Sequence, residues 1–230
     1  NLITFVTGNT NVYSHSPICS KHGLNVYVLL TPFKRELTNL NDIIGPTNAN
    51  GGFCYGCVNK GEIIIYRKEE WFKVFCHELI HNFGVDNYIW SYTRILKDLS
   101  HKKNLKVQSS YSKFINNFNL SREINENHLD IGLQECLVEF WGEFFNNASY
   151  SYNTTALCNL STYNLKFKKY LETFETIAQL EIVNSFLQSQ KILSFNNMNY
   201  NGLIDSKKLY GSNNFRENTH IFSYYILKLF

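Results

Sequence analysis

The chain has 230 residues, which is enough to bury a sizeable core in one globular unit. Its formal net charge is +3 and charged residues make up 18% of it, so no basic field indicates a nucleic acid as the main partner. No apolar run reaches membrane-spanning length and the N-terminus lacks the charged-then-apolar order of a signal peptide, so we expect a soluble protein without a membrane partner.

The first third of the sequence predicts a small β-sheet. Leu24–Leu30 is rich in β-branched residues and predicts a strand. Gly51–Tyr55 and Glu62–Tyr66, joined by a turn near Asn59–Gly61, predict a hairpin. A strand of this kind beside a cleft can hold an extended peptide by main-chain hydrogen bonds.

Four residues in this region have the types required for a second, structural zinc site. Cys19, His22, Cys54 and Cys57 would supply three thiolates and one imidazole. A hairpin carrying two free thiols, or a disulfide between Cys54 and Cys57, explains the same pattern, so the alternatives stay open at this point.

The strongest functional signal follows the hairpin, in the pattern His77-Glu78-x-x-His81. The preceding segment Trp71–Cys76 contains no Pro or Gly and Gly84 offers a helix end, which together predict that the pattern lies in a helix. Because residues four apart share a helix face, His77 and His81 can direct ring nitrogens to one metal ion. Glu78 would then lie beside the metal, where it can deprotonate a metal-bound water. The pattern predicts a hydrolytic zinc centre, with a core helix that happens to carry two histidines as the alternative.

Helical patterns dominate the rest of the chain, and Asn196–Tyr200 breaks them once. We therefore expect an α+β fold in a single domain, 1–230, with two lobes: a β-sheet plus metal helix at 1–86 and a helical lobe at 87–230. The predicted helices beyond Asp86 are Tyr88–Leu99, Ser109–Phe118, Asp130–Asn146, Tyr163–Phe195 and Arg216–Leu229.

A catalytic zinc has three protein ligands, and the best third candidate is Glu135. Glu135, Glu139 and Glu143 form one helix row, where like charges repel unless a cation compensates them. We therefore predict Glu135 as the ligand and Glu139, one turn later, as the acceptor for a ligand histidine. Gly132 and Gly142 would let the two site helices approach closely. A solvated acidic face is the alternative reading of this row.

Asp86 is a rival third ligand. In metzincins a Gly follows the second His by three residues and a third ligand by six, and Met198 could form their Met-turn. Gly84 fits this spacing, but Asp86 is one residue too early.

With His77-Glu78-x-x-His81 and Glu135-x-x-x-Glu139, the chain resembles the gluzincin branch of the zincin metallopeptidases. This resemblance implies a zincin-like fold, zinc bound by both histidines and Glu135, Glu78 as general base, and Glu139 supporting a ligand.

Three longer segments are similar to metallopeptidase-like proteins of giant DNA viruses: Tyr66–Val74, Glu135–Trp141 and Arg216–Tyr225. That resemblance implies a virus-encoded protein, located in the cytoplasm or the virion. Its partner would be a peptide or protein substrate; the sequence indicates no oligomeric state.

A tetrahedral intermediate also needs a hydrogen-bond donor beyond the metal. His220, Tyr224 and Tyr225 on the predicted terminal helix are candidates, with scaffold packing as the alternative for each. The sequence thus predicts a hydrolase, a zinc metalloprotease. The alternatives are a catalytically silent zincin scaffold with a structural or interaction role, for example in a virion, and a metal-dependent hydrolase of a non-peptide bond.

Overall fold

The computed structural model describes residues 19–36, 43–86, 133–200, 219 and 221–229. Its helices and strands are β1 (Leu24–Thr31), α1 (Pro46–Ala49), β2 (Gly52–Cys54), β3 (Gly61–Arg67), α2 (Trp71–Asn82), α3 (Leu133–Ala156) and α4 (Tyr163–Phe195). A π-helical turn at Phe222–Ile226 and a 3-10 turn at Leu227–Leu229 follow. The fold is therefore mixed, with a small sheet and a mostly helical remainder. Within the described ranges, no helix combines the length and the apolar character needed to cross a bilayer.

The three strands form one sheet in the order β1-β3-β2. β1 runs parallel to β3, and β2 pairs with β3 in the antiparallel direction, which confirms the predicted strand and hairpin. The central strand alternates strictly between buried and half-buried residues, and Ile63 and Ile65 are completely buried. This alternation gives the sheet one apolar face for a helix to cover.

Helix α2 covers that face, and it carries the metal-binding pattern. Val74, Leu79 and Phe83 of α2 and the turn after it form one apolar core with the two buried isoleucines of β3. Gly84 follows the helix with a left-handed φ of 64°, and its N–H donates to the carbonyl of His81 at 2.9 Å. The helix therefore ends at the glycine that the sequence indicated, because a left-handed residue favours Gly.

The chain divides into two compact units that are interleaved along the sequence. One unit draws on Asn1–Arg35, Asn50–Asp86 and Leu137–Ser185, and the other on Glu36–Ala49, Asn87–Cys136 and Phe186–Phe230. The unit boundaries fall inside α3 and α4, so the units do not coincide with the lobes expected at 1–86 and 87–230.

The second unit has an apolar core of its own. Its buried members are Ile44, Ala49, Ile192, Leu193, Ile221 and Ile226. Met198 is half-buried against this core, which gives it a packing role there.

The predicted helices differ from the structure in two places. Helix α3 continues to Ala156, ten residues beyond the predicted end at Asn146. Ser151 and Thr155 are buried in this extension, and each hydroxyl donates to the carbonyl four residues earlier. Since each hydroxyl finds its hydrogen-bond acceptor on the same helix, these residues do not end the helix as their low helix propensity suggests.

The predicted terminal helix is also different, because its described part is a π-helical turn followed by a 3-10 turn. Helix α4 matches the predicted bounds Tyr163–Phe195. The predictions for Tyr88–Leu99 and Ser109–Phe118 lie outside the described residues.

The structural zinc site proposed from the cysteines is wrong, and so is the disulfide between Cys54 and Cys57. Cys19 and Cys57 form a disulfide instead, and Cys54 is not disulfide-bonded. Two of the four expected ligands are therefore consumed in a covalent bond, and His22 is exposed. Local spacing favoured the near pair, whereas tertiary packing joins two cysteines that are 38 residues apart.

Candidate metal centre

Helix α2 brings the two histidines of the pattern face to face. The Nε2 atoms of His77 and His81 lie 3.1 Å apart, and the ring centroids are 4.8 Å apart. His77 is buried and His81 is half-buried. Both rings therefore present the same type of nitrogen to one small volume, as the four-residue spacing predicted.

Glu135 contributes a carboxylate to the same volume. The ligand atoms of His77, His81 and Glu135 all lie within 4.8 Å of one another. Glu135 stands one turn before Glu139 on the continuous helix α3, so the helix itself sets the distance between these two acids. The three residues that the sequence indicated as metal ligands are thus brought together as a possible metal-binding group.

Each histidine also has a carboxylate at the opposite side of its ring. Glu139 Oε2 lies 3.1 Å from Nδ1 of His77, and Asp86 Oδ2 lies 2.8 Å from Nδ1 of His81. A carboxylate in this position accepts the Nδ1–H and leaves the lone pair on Nε2 free to bind a metal. The predicted contact between Glu139 and a ligand histidine is present.

The position of Asp86 excludes the rival assignment in which it is the third ligand. Its carboxylate contacts Nδ1 of His81, so it lies behind the ring and not beside Nε2. Asp86 is also absent from the group of ligand atoms that converge among the described residues. The sequence suggested Asp86 only as a rival to Glu135, because its spacing from His81 resembles that of a ligand, and it gave no sign of the contact with Nδ1.

Sequence analysis missed a buried cation at the site. Lys73 is buried, and its Nζ lies 2.8 Å from Glu139 Oε1 and 3.2 Å from Glu70 Oε2. The available signal was the spacing of Lys73 from His77, since residues four apart share the helix face that carries the histidines.

An arginine adds a second cation to this charged group. Arg35 forms an ion pair with Glu70, through the same carboxylate oxygen that contacts Lys73. Although burial by itself would raise the pKa of Glu70, the ammonium of Lys73 and the guanidinium of Arg35 lower that pKa below its ordinary value.

Gly142 of α3 allows the close approach of the two site helices, as its sequence position suggested. A Cβ at Gly142 would lie 3.3 Å from the Cβ of His77 and 3.4 Å from the carbonyl oxygen of Lys73. Those contacts are tighter than most Cβ atoms show, so a larger residue would push α3 away from α2. Gly132, the other glycine of that prediction, lies outside the described residues.

Glu78, the residue predicted to act as general base, is buried next to the first histidine. Its carboxylate makes no hydrogen bond or ion pair with any residue that the structure describes. Its main-chain carbonyl accepts a hydrogen bond from the thiol of Cys54, at 3.4 Å. The last residue of β2 therefore lies against α2 at Glu78.

The three suggested transition-state donors have different outcomes. The hydroxyl of Tyr224 donates to Glu135 Oε2 at 3.4 Å, which puts it beside a residue of the metal-binding group. Tyr225 is half-buried against the second core, and its carbonyl accepts a hydrogen bond from Ser189, so it has a packing role. His220 lies outside the described residues.

Comparisons of the chain with protein-family models, with curated proteins and with solved structures find no match. Function must therefore be inferred from the geometry of the residues themselves.

Proposed function

We propose that this chain is a zinc-dependent peptidase of zincin-like architecture, in which His77, His81 and Glu135 bind the metal and Glu78 is the general base. The observation that carries the proposal is the convergence of two Nε2 atoms, 3.1 Å apart, with the Glu135 carboxylate in the same group. Two imidazoles and one carboxylate form one of the common ligand sets of catalytic zinc.

The distance between the two histidine nitrogens supports zinc at this position. Two nitrogens bound to one tetrahedral zinc at the usual bond length would be about 3.3 Å apart. The 3.1 Å separation in this protein is close to that value before any adjustment of the rings. The carboxylates behind both rings support the same reading, because metal-binding histidines usually donate their second N–H to such a group.

The bound zinc would supply a Lewis acid that polarises the substrate carbonyl and lowers the pKa of a water molecule. Glu78 follows His77 directly along the helix, and the proposal puts its carboxylate beside the ligand nitrogens and not in line with them. In the proposed mechanism, Glu78 accepts the proton of the attacking water and then transfers it to the leaving amine. Tyr224, next to Glu135, is the proposed donor to the oxygen on which negative charge develops.

A peptide is the proposed substrate because an edge strand contacts the helix that carries both histidines. β2 is at the end of the sheet order, and its last residue, Cys54, contacts the main chain of Glu78. An extended peptide that pairs with the outer edge of β2 would pass next to the general base. Phe53 of the same strand is 42% exposed and offers an apolar contact to such a peptide.

The test compares wild type with Glu78→Gln, which keeps the size of the side chain and removes the base. Zinc content should be unchanged, while cleavage of a broad peptide library should fall by about 100-fold or more. Glu135→Ala is the control that should lose zinc and cleavage together. If wild type binds zinc and cleaves nothing, the peptidase proposal fails and the alternative of a silent zincin scaffold with a structural or interaction role takes its place.

A further inference from the structure

A buried lysine stands behind the metal-binding group and contacts the carboxylate that supports His77. Lys73 Nζ lies 2.8 Å from Glu139 Oε1, and the other oxygen of Glu139 lies 3.1 Å from Nδ1 of His77. The side chains of all three residues are less than a tenth exposed. One oxygen of Glu139 is thus directed to the lysine and the other to the histidine.

We propose that Lys73 is a positioning residue that holds Glu139 behind His77 and so leaves Glu135 as the carboxylate that binds the metal. The inference rests on the metal site of the proposed function and adds a residue to it that the zinc-binding pattern does not contain.

The need for such a residue follows from the spacing of the acids. Glu135 and Glu139 are one turn apart on α3, and both are close to the histidines of α2. A carboxylate with no competing partner is free to turn toward a divalent cation. Glu139 has a competing partner, because a buried ammonium makes a short, charge-assisted hydrogen bond to it. Burial strengthens that preference, since breaking a buried pair leaves two uncompensated charges.

Lys73 also contacts a second carboxylate, that of Glu70. Its ammonium lies 3.2 Å from Glu70 Oε2, and Glu70 is paired with Arg35. Charges of alternating sign therefore run from Arg35 through Glu70 and Lys73 to Glu139, whose other carboxylate oxygen contacts His77. The backbone of Glu70 is left-handed, with a φ of 52°, and its side chain makes no capping hydrogen bond to α2. Glu70 thus does not cap the helix it precedes, and its carboxylate pairs with the two cations.

The direction in which zinc affinity changes when Lys73 is removed distinguishes a positioning role from a purely electrostatic one. Removing a cation near a Zn²⁺ site should tighten metal binding if only the Coulomb energy mattered. If Lys73 acts by positioning Glu139, its removal should weaken binding, because His77 then loses a well-placed acceptor.

The experiment measures the zinc Kd of the folded full-length protein by competition with a chromophoric chelator, and folding by circular dichroism. The variants are Lys73→Met, Glu139→Gln and the double variant, with Lys168→Met as the control. Lys168 is a matched control because it also forms a helical ion pair, with Glu172, but is exposed. We expect Lys73→Met to weaken zinc binding about tenfold and Glu139→Gln by about 10- to 100-fold. The double variant should bind zinc no more weakly than Glu139→Gln alone, because Lys73 acts through Glu139.

Unchanged or tighter zinc binding by Lys73→Met overturns the inference, and so do losses that multiply in the double variant. If Lys73→Met alone does not fold, the double variant removes both charges and is expected to fold. Its comparison with Glu139→Gln then decides the outcome, since a further loss of affinity overturns the inference and equal affinities support it.

Measurements of zinc binding and of peptide cleavage together distinguish a failure of this inference from a failure of the proposed function. Coupled zinc binding without any peptide cleavage supports the role of Lys73 and overturns the peptidase. Cleavage by a zinc-bound wild type without coupling overturns the role of Lys73 alone, and a wild type that binds no zinc overturns both.

Discussion

The two histidines of α2 differ in the carboxylate behind each ring. His77 has Glu139, which comes from another helix, whereas His81 has Asp86, which follows on the same stretch of chain. The Asp86 contact therefore depends on the turn at Gly84 that ends α2 and brings the chain back to the ring. Each contact sets the tautomer of one ring, so each should affect metal affinity separately.

The first prediction concerns Asp86. Replacing it by Ala should weaken zinc binding by about 10-fold or more, because His81 loses its acceptor. Replacing it by Asn should recover most of that affinity, since an amide oxygen still accepts the Nδ1–H. Zinc competition titrations of both variants provide the measurement. Equal loss in both variants, as large as that of Glu135→Ala, would mean that Asp86 binds the metal directly.

Two helices form the site at the scale of elements, and Gly142 sets their separation. Gly142→Ala should lower the free energy of unfolding by about 1 to 3 kcal/mol, because the new methyl group comes within 3.3 to 3.4 Å of His77 and of the Lys73 carbonyl oxygen, so the two helices must shift apart. Zinc affinity should fall with it, as α3 carries both acids. Urea unfolding gives the first quantity and chelator competition the second.

Gly45→Ala is the matched control for this prediction. A Cβ at Gly45 would contact only Asn48 Oδ1, at 4.0 Å, so the same substitution meets no obstruction there. Equal stability of Gly142→Ala and Gly45→Ala would contradict the close approach of the helices.

The start of α2 should give the protein a pH-dependent stability. The pKa of Glu70 is lowered from its ordinary value of 4.5, so the charged carboxylate stabilises the folded state. That contribution is present above pH 4.5 and is lost as the pH falls through the lowered pKa of the folded state. Wild type should therefore be more stable than Glu70→Gln at neutral pH, and the difference should shrink in acid.

Urea midpoints of the two proteins between pH 7 and pH 3 provide the measurement. Glu69→Gln makes the same charge change one position earlier and controls for net charge. A difference between wild type and Glu70→Gln that stays constant with pH would rule out the ion pairs of Glu70 as its source.

Elements whose evidence is local were predicted well from the sequence, whereas contacts between distant segments were predicted only in part. The β-hairpin, α2 and the bounds of α4 follow from periodicity and from glycines at the ends of elements. The contact of Lys73 with Glu139, 66 residues away, left no local signal beyond the shared helix face. The convergence of Glu135 with His77 and His81 was predictable because the histidines share one helix face and the acids share another. The contact of Asp86 depends on the direction in which the chain turns after Gly84.

At the scale of the whole molecule, one covalent bond joins two segments of the first unit. The Cys19–Cys57 disulfide connects the chain before β1 to the turn between β2 and β3. Cys57 N–H also donates to the carbonyl of Asn82 at the end of α2, at 3.2 Å, so the bond lies close to the site helix.

Cys19→Ser should lower the free energy of unfolding by about 2 to 4 kcal/mol, since the bond closes a long loop in the unfolded chain. A reducing agent should destabilise wild type by a similar amount and leave Cys19→Ser unaffected. Urea unfolding with and without the reductant measures both effects. Cys158→Ser, which removes a free thiol, is the control and should keep the response of wild type. An unfolding midpoint of wild type that is the same with and without the reductant would contradict the disulfide.

Because the first unit is interleaved along the sequence, the ribosome makes its parts at different times. His77 is made 62 residues before Glu139, which corresponds to about 3 to 12 seconds at ordinary rates of translation. During that interval the nascent α2 has its histidines and its lysine but lacks the acids of α3 that complete the group. Fragments that end before Glu139 would keep this unfinished state permanently, with a lysine that has no Glu139 to pair with and a histidine without its acceptor. The proposed metal-binding group is therefore completed late in the synthesis of each chain.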